Sequence, residues 1–179
     1  MQIVRNGVIT LLFLSCFSII TTAQKSSKEE KVINDAQQAR KDFIETDAAM
    51  QELLENAYGY VIFPNVGKGG IGIGGAAGNG VAFRNNNIIG MAKMTQITLG
   101  FQWGGQAYRE VILFETQKAF EDFKNNRVEL SAQASAVALK SGASANAKYK
   151  NGVMVFTQTK GGLMYEASIG GQKFKFRQL

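Results

Sequence analysis

The stretch from Tyr58 to Phe83, YGYVIFPNVGKGGIGIGGAAGNGVAF, constrains this chain more than any other. Glycine at this density would cost a helix roughly 1 kcal/mol per site, so the segment reads as strand and turn. An apolar run from Tyr60 to Phe63 stops at Pro64, the only proline. A turn follows at Gly67-Lys68-Gly69-Gly70, and then Ile71, Ile73, Gly75 and Ala77 fall on alternate positions. Two neighbouring strands joined through a glycine-rich turn account for the pattern. Glycine inside a strand marks a bend, a bulge or the close approach of another group.

The two-residue period continues downstream. Ile97, Leu99, Phe101 and Trp103 alternate with polar or small residues up to Gly104-Gly105, and Tyr108 to Phe114 returns as the second arm of a hairpin. The triplet Asn85-Asn86-Asn87 is a turn, because asparagine tolerates the left-handed conformation. Thr116 caps a short helix with Ala119, Phe120 and Phe123 on one face. From Val128 to Ala138 apolar residues, mostly alanine, occupy every second position, which predicts a strand despite the alanine content. The alternation resumes from Ala143 to Tyr149. Val153 to Gln158, Leu163 to Ile169 and Lys173 to Arg177 complete the set, with turns at Gly161-Gly162 and Gly170-Gly171. Many short strands with small residues at apolar positions predict an α+β fold. Its core is a small antiparallel β-barrel closed through glycine kinks, with an N-terminal amphipathic helix and short surface helices.

Residues 1–23 read as a signal peptide. Arg5 precedes an apolar run from Val8 to Ile20, and Thr21 and Ala23 suit cleavage after Ala23. That predicts an exported protein, periplasmic or associated with the cell envelope. Lipid attachment at Cys16 is the lesser option, since Phe13-Leu14-Ser15-Cys16 is a poor lipoprotein box. Residues 24–57 form a polar lead and a helix from Lys28 to Ala57. Its apolar stripe runs through Val32, Ala36, Ala39, Phe43, Met50, Leu54 and Ala57, broken near Thr46 and Asp47. Its polar face is acid-rich, with Glu29, Glu30, Asp35, Asp42, Glu45 and Glu52. Membrane-surface helices favour lysine and arginine there, so the stripe is expected to pack on the core. Residues 58–179 are the β-rich remainder, one domain with the helix.

Catalytic chemistry finds little footing. There is no histidine, which removes the usual general base and zinc ligand, and one cysteine, which excludes an intramolecular disulfide and a thiolate cluster. Gly70-x-Gly72-x-x-Gly75 fits a dinucleotide fingerprint, but strand residues follow it where a helix is needed. Lys68 lacks the Ser or Thr that would complete a phosphate-binding loop, and no G-x-S-x-G elbow occurs. No catalytic residue, metal site or cofactor is expected, and the chain reads as non-enzymatic.

Three ordered blocks carry a family resemblance: YGYVIFPNVGKGGIGIGGAAGNGVAF, TQITLGFQWGGQAYREVILF and VELSAQASAVALKSGASANA. Together they resemble the SYLF family of lipid-binding domains, over a span from roughly Asp47 to the C-terminus. The resemblance implies a small β-barrel with helices on its surface that binds phosphoinositides or other anionic lipids weakly. Some eukaryotic relatives in that family also bind actin.

The charge distribution agrees with an anionic partner. The net charge is +6, and from Asn56 to Arg109 there is no acidic residue, only Lys68, Arg84, Lys93 and Arg109. After Glu129 the cations Lys140, Lys148, Lys150, Lys160, Lys173, Lys175 and Arg177 face only Glu166. A basic surface built on Lys68, Arg84, Lys93 and Arg109 is therefore expected to bind anionic lipid headgroups. A basic residue near an anionic membrane contributes about 1 kcal/mol, so four give roughly millimolar affinity. An apolar anchor is needed as well, and Trp103 is the candidate. Nucleic acid is not expected as a partner, because no aromatic RNA-binding motif is present. The alternative is a structural or protein-interaction module of the envelope, docking through the acidic helix.

Overall fold

The computed structural model describes residues 26–71, 73–99, 106–128, 130, 135–160 and 167–179. Helix α1 covers residues 26–46. Helix α2, Ala49–Asn56, follows after a break at Asp47. The strands are β1 (Gly59–Ile71), β2 (Ile73–Arg84), β3 (Asn87–Leu99), β4 (Gln106–Phe114), β5 (Ser135–Ala138), β6 (Val153–Thr159), β7 (Ala167–Ser168) and β8 (Gln172–Gln178), with α3 (Gln117–Lys124) between β4 and β5. They form one sheet in the order β7-β5-β6-β4-β1-β2-β3-β8. All neighbours are antiparallel except β5 and β6.

The helix break coincides with the bonding of Asp47. Asp47 is buried, and its carboxylate accepts hydrogen bonds from the Ser144 N–H at 2.9 Å, the Ser144 Oγ–H at 2.7 Å and the Ala49 N–H at 3.3 Å. Desolvation pushes its pKa up, but these bonds outweigh it and hold the carboxyl below its usual range. The same tie explains a departure from the expected strand over Ala143 to Tyr149. A short 3₁₀ turn, Ser144–Asn146, stands there, with its first residue held by Asp47. Thr116 caps α3 as its sequence predicts, accepting from the Ala119 N–H at 3.2 Å. Asn85 and Asn86 take positive φ values of 49° and 62° in the two-residue β2–β3 turn. Of the expected Val128 to Ala138 strand, Ser135–Ala138 is present; residues 129 and 131–134 lie outside the described residues, as do most of Leu163 to Ile169 and the Gly104-Gly105 and Gly161-Gly162 turns.

Pro64 does not stop its strand. β1 runs through it, and the pairing with both neighbours shifts register there. A bulge tolerates proline because the missing N–H has no ladder partner to lose. Alternation along the strands builds two hydrophobic layers. One holds Tyr60, Ile62, Val81, Phe83, Val111, Leu113, Met154 and Phe156 against Ala36, Ala39, Phe43, Met50 and Leu54 of the helices. The apolar stripe of α1 and α2 therefore packs on the sheet. The other layer lines the opposite, concave face, which α3 seals with Phe120 and Phe123.

The concave face is deeply curled. Glu110 on β4 and Gln172 on β8 are four strand spacings apart, about 19 Å on a flat sheet. Yet Gln172 Nε2 donates to Glu110 Oε2 at 3.0 Å. The rings of Phe63 on β1 and Phe174 on β8 lie 6.0 Å apart. The curl nevertheless stops short of the expected closed barrel: β7 and β8 end the sheet and do not pair with each other among the described residues. Glycine serves a different purpose from closure. A Cβ on Gly80 would meet the Phe63 ring at 2.6 Å, one on Gly90 the Phe176 ring at 2.3 Å, and one on Gly59 the Phe120 ring at 2.8 Å. The missing side chains make room for rings that fill the trough.

Gly80→Ala should lower stability by about 1–3 kcal/mol through overpacking, because the Ile62 carbonyl also lies 2.7 Å from the added Cβ. Gly67→Ala, with nothing within 4 Å, should leave the melting temperature unchanged. Thermal melts of the two variants check the contrast.

Candidate functional site

The last strand reads QKFKFRQ. Its alternation sends Phe174 and Phe176 toward the concave layer and Lys173, Lys175 and Arg177 to the other side. The ladder with β3 then sets Lys175 directly opposite Lys93, and Arg177 opposite Met91, while Asn79 of β2 faces Lys93 from the other side. Cross-strand Cβ atoms stand about 5 Å apart, and like charges in that relation repel. The start of α1 lies over these rows and contributes Lys28, Glu29 and Val32. With Ala92 and Phe176 they bound an open cavity of about 500 Å³. Glu29 Oε1 pairs with Arg177 Nη2 at 2.8 Å. Four cations and this one carboxylate line the cavity, a local excess of three positive charges.

The structure brings only Lys93 of the expected cations to this place. Arg109 pairs with Asp42 of α1 at 2.7 Å and donates to Gln158 Oε1 at 2.8 Å, so it fastens the helix to β4 and β6. The Arg84 guanidinium lies 4.5 Å from the centre of the Tyr58 ring, at the far end of β2. Lys68 is half-buried, and burial pushes its ammonium pKa down. The bulge at Pro64 shifts the phase of β1, so Lys68 shares the concave side with Val66 where an unbroken alternation would place it outside with Ile62. Trp103 lies outside the described residues. The surface predicted from Lys68, Arg84, Lys93 and Arg109 thus does not assemble. Lys28, Lys175 and Arg177 join Lys93 in its place. The alternating cations of QKFKFRQ were the signal for two of them.

The helix acids also face the sheet more than expected. Asp42 holds Arg109, Glu29 holds Arg177, and Asp35 accepts from Asn65 Nδ2 at 3.1 Å besides pairing with Lys31. Among the described residues no group of three His, Cys, Asp or Glu could hold a metal ion. No helix among them is long and apolar enough to cross a membrane.

A second polar cluster sits inside the trough. Glu110 is fully buried, faces Thr157 across the β4–β6 ladder, and accepts from Gln172 Nε2. Burial pushes its carboxyl pKa up to about 7, with the Gln172 bond pulling the other way. Burial also raises Tyr108, and the nearby Glu110 charge adds to that. The folded acid stays protonated above the unfolded value of 4.5. Its contribution is therefore most favourable below that value, declines as pH rises, and its full penalty is present above about pH 7. Glu110→Gln should remove this penalty. Relative to the parent, the variant should gain up to roughly 3 kcal/mol between acidic pH and pH 8, read from denaturant melts across that range.

Residues 95–178 match the family model described as Ysc84: Las17-binding protein actin regulator. Beta cell expansion factor A of Aeromonas veronii is 32% identical over 123 residues, which cover 68% of this chain and 47% of that protein. The chain spans about half the length of this curated relative.

Proposed function

We propose that this chain, a member of the SYLF family (the Ysc84 model) through its match over residues 95–178, is an exported, non-enzymatic domain that binds anionic lipid headgroups at the β3–β8 face. The observation that carries the reading is the register that sets Lys93 against Lys175, with Lys28 and Arg177 beside them and Glu29 the one carboxylate lining the cavity. Such a cluster is strained by its own repulsion and is relieved by an anion. Ile97 supplies an apolar complement. It is 76% exposed, on the same side of β3 as Lys93 and four residues along, about 13 Å away. It can take the anchoring role that the sequence suggested for Trp103.

Co-flotation with anionic and neutral vesicles tests the reading. Binding should require the anionic lipid and weaken as salt rises. Lys93→Glu combined with Lys175→Glu should reduce it at least tenfold, whereas Lys140→Glu, in the exposed loop after β5, should change it little. Equal binding to neutral vesicles would defeat the mechanism.

The family model's own description supports a second reading, a protein-interaction module. Glu30, Glu45, Glu52 and Glu55 remain exposed along α1 and α2 as a docking face for a basic partner in the envelope. Reversing these charges would then abolish partner capture and leave vesicle binding intact.

A further inference from the structure

We infer that the cavity beneath the start of α1 is a discrete site for one single-chain anionic amphiphile, an alkyl phosphate or carboxylate, with its head on the lysines and its chain on the cavity floor. This deepens the lipid-surface reading and uses the same cations. Two features separate it from a flat adsorbing patch. The first is shape: the start of α1 stands over β3 and β8 and leaves an open-mouthed hollow of about 500 Å³, within the range of small-molecule sites. The second is the mixed lining. Lys28, Lys93, Lys175 and Arg177 supply positive charge, while Val32 and Met91 supply apolar surface within the same walls. A bare headgroup satisfies only the first set, and a neutral chain only the second.

Charge complementarity selects the head. Lys93 and Lys175 oppose each other in the ladder, and Arg177 is already engaged by Glu29 at 2.8 Å. An incoming phosphate or carboxylate bridges the two lysines. The apolar wall selects the tail. Each methylene that leaves water there tightens binding about fourfold until the cavity is full.

The experiment is calorimetry on the purified protein with hexyl, octyl and decyl phosphate, each below its aggregation concentration. Inorganic phosphate and an octyl glucoside serve as comparisons. The expected result is saturable one-to-one binding that tightens about tenfold or more for each added pair of methylenes and then levels off. Inorganic phosphate and the glucoside should bind far more weakly. Val32→Trp fills part of the cavity without changing charge, and should lose the alkyl phosphates while still floating with anionic vesicles. Lys93→Gln with Lys175→Gln, both at exposed positions, should lose the alkyl phosphates and weaken flotation. Affinity independent of chain length, or unchanged in the double lysine variant, overturns the proposal. Should alkyl phosphates fail while vesicles still bind, the cavity site falls and the surface reading stands. Should vesicles fail while alkyl phosphates bind, the opposite holds.

Discussion

Aromatic rings seated on bare backbone are what let this sheet curl. Phe63 occupies the space over Gly80, Phe176 the space over Gly90, and Phe120 the space over Gly59. Each contact replaces a side chain that would otherwise hold neighbouring elements apart. The rings then meet across the trough, Phe63 with Phe174, and Phe123 with Phe114, Phe174 and Phe176. The result is a one-sided bend around a phenyl-rich interior, where a symmetric barrel would need its constraints distributed evenly around a ring.

The bend also sorts the charges. Helix α1 lies across the outer face, and its acids meet the cations nearest to them. Asp42 takes Arg109 from the middle of the sheet, and Glu29 reaches Arg177 at the margin. Arg109 is thereby committed to holding the helix. Lysines on β3 and β8 lie where the helix begins, and there the cations outnumber the one carboxylate that lines the cavity.

Much of this was written plainly in the chain. The two-residue period found β3, β4, β6 and β8, and the Asn turn, the Thr116 cap and the stripe of the first helices all follow from local chemistry. The failures share a cause, which is that distance along the chain does not give distance across a sheet. An acid-free stretch looks like one basic surface, yet Lys68, Arg84 and Arg109 separate onto different faces and ends once β1 bulges at Pro64. The 3₁₀ turn at Ser144 depends on Asp47, 97 residues away, a contact that local alternation does not record. The site itself was half legible. Lys175 and Arg177 stood out as unopposed charges, but their meeting with Lys93 is a matter of strand order.

Strand order has one more consequence. The stretch that matches the Ysc84 model begins at residue 95, while β1 and β2 occupy the interior of the sheet between β4 and β3. A fragment cut at that boundary would keep both flanks and lose the middle, along with most of β3 and every residue of α1. The matched stretch is therefore smaller than the sheet it belongs to, and the cavity beneath α1 draws its lining from both sides of residue 95.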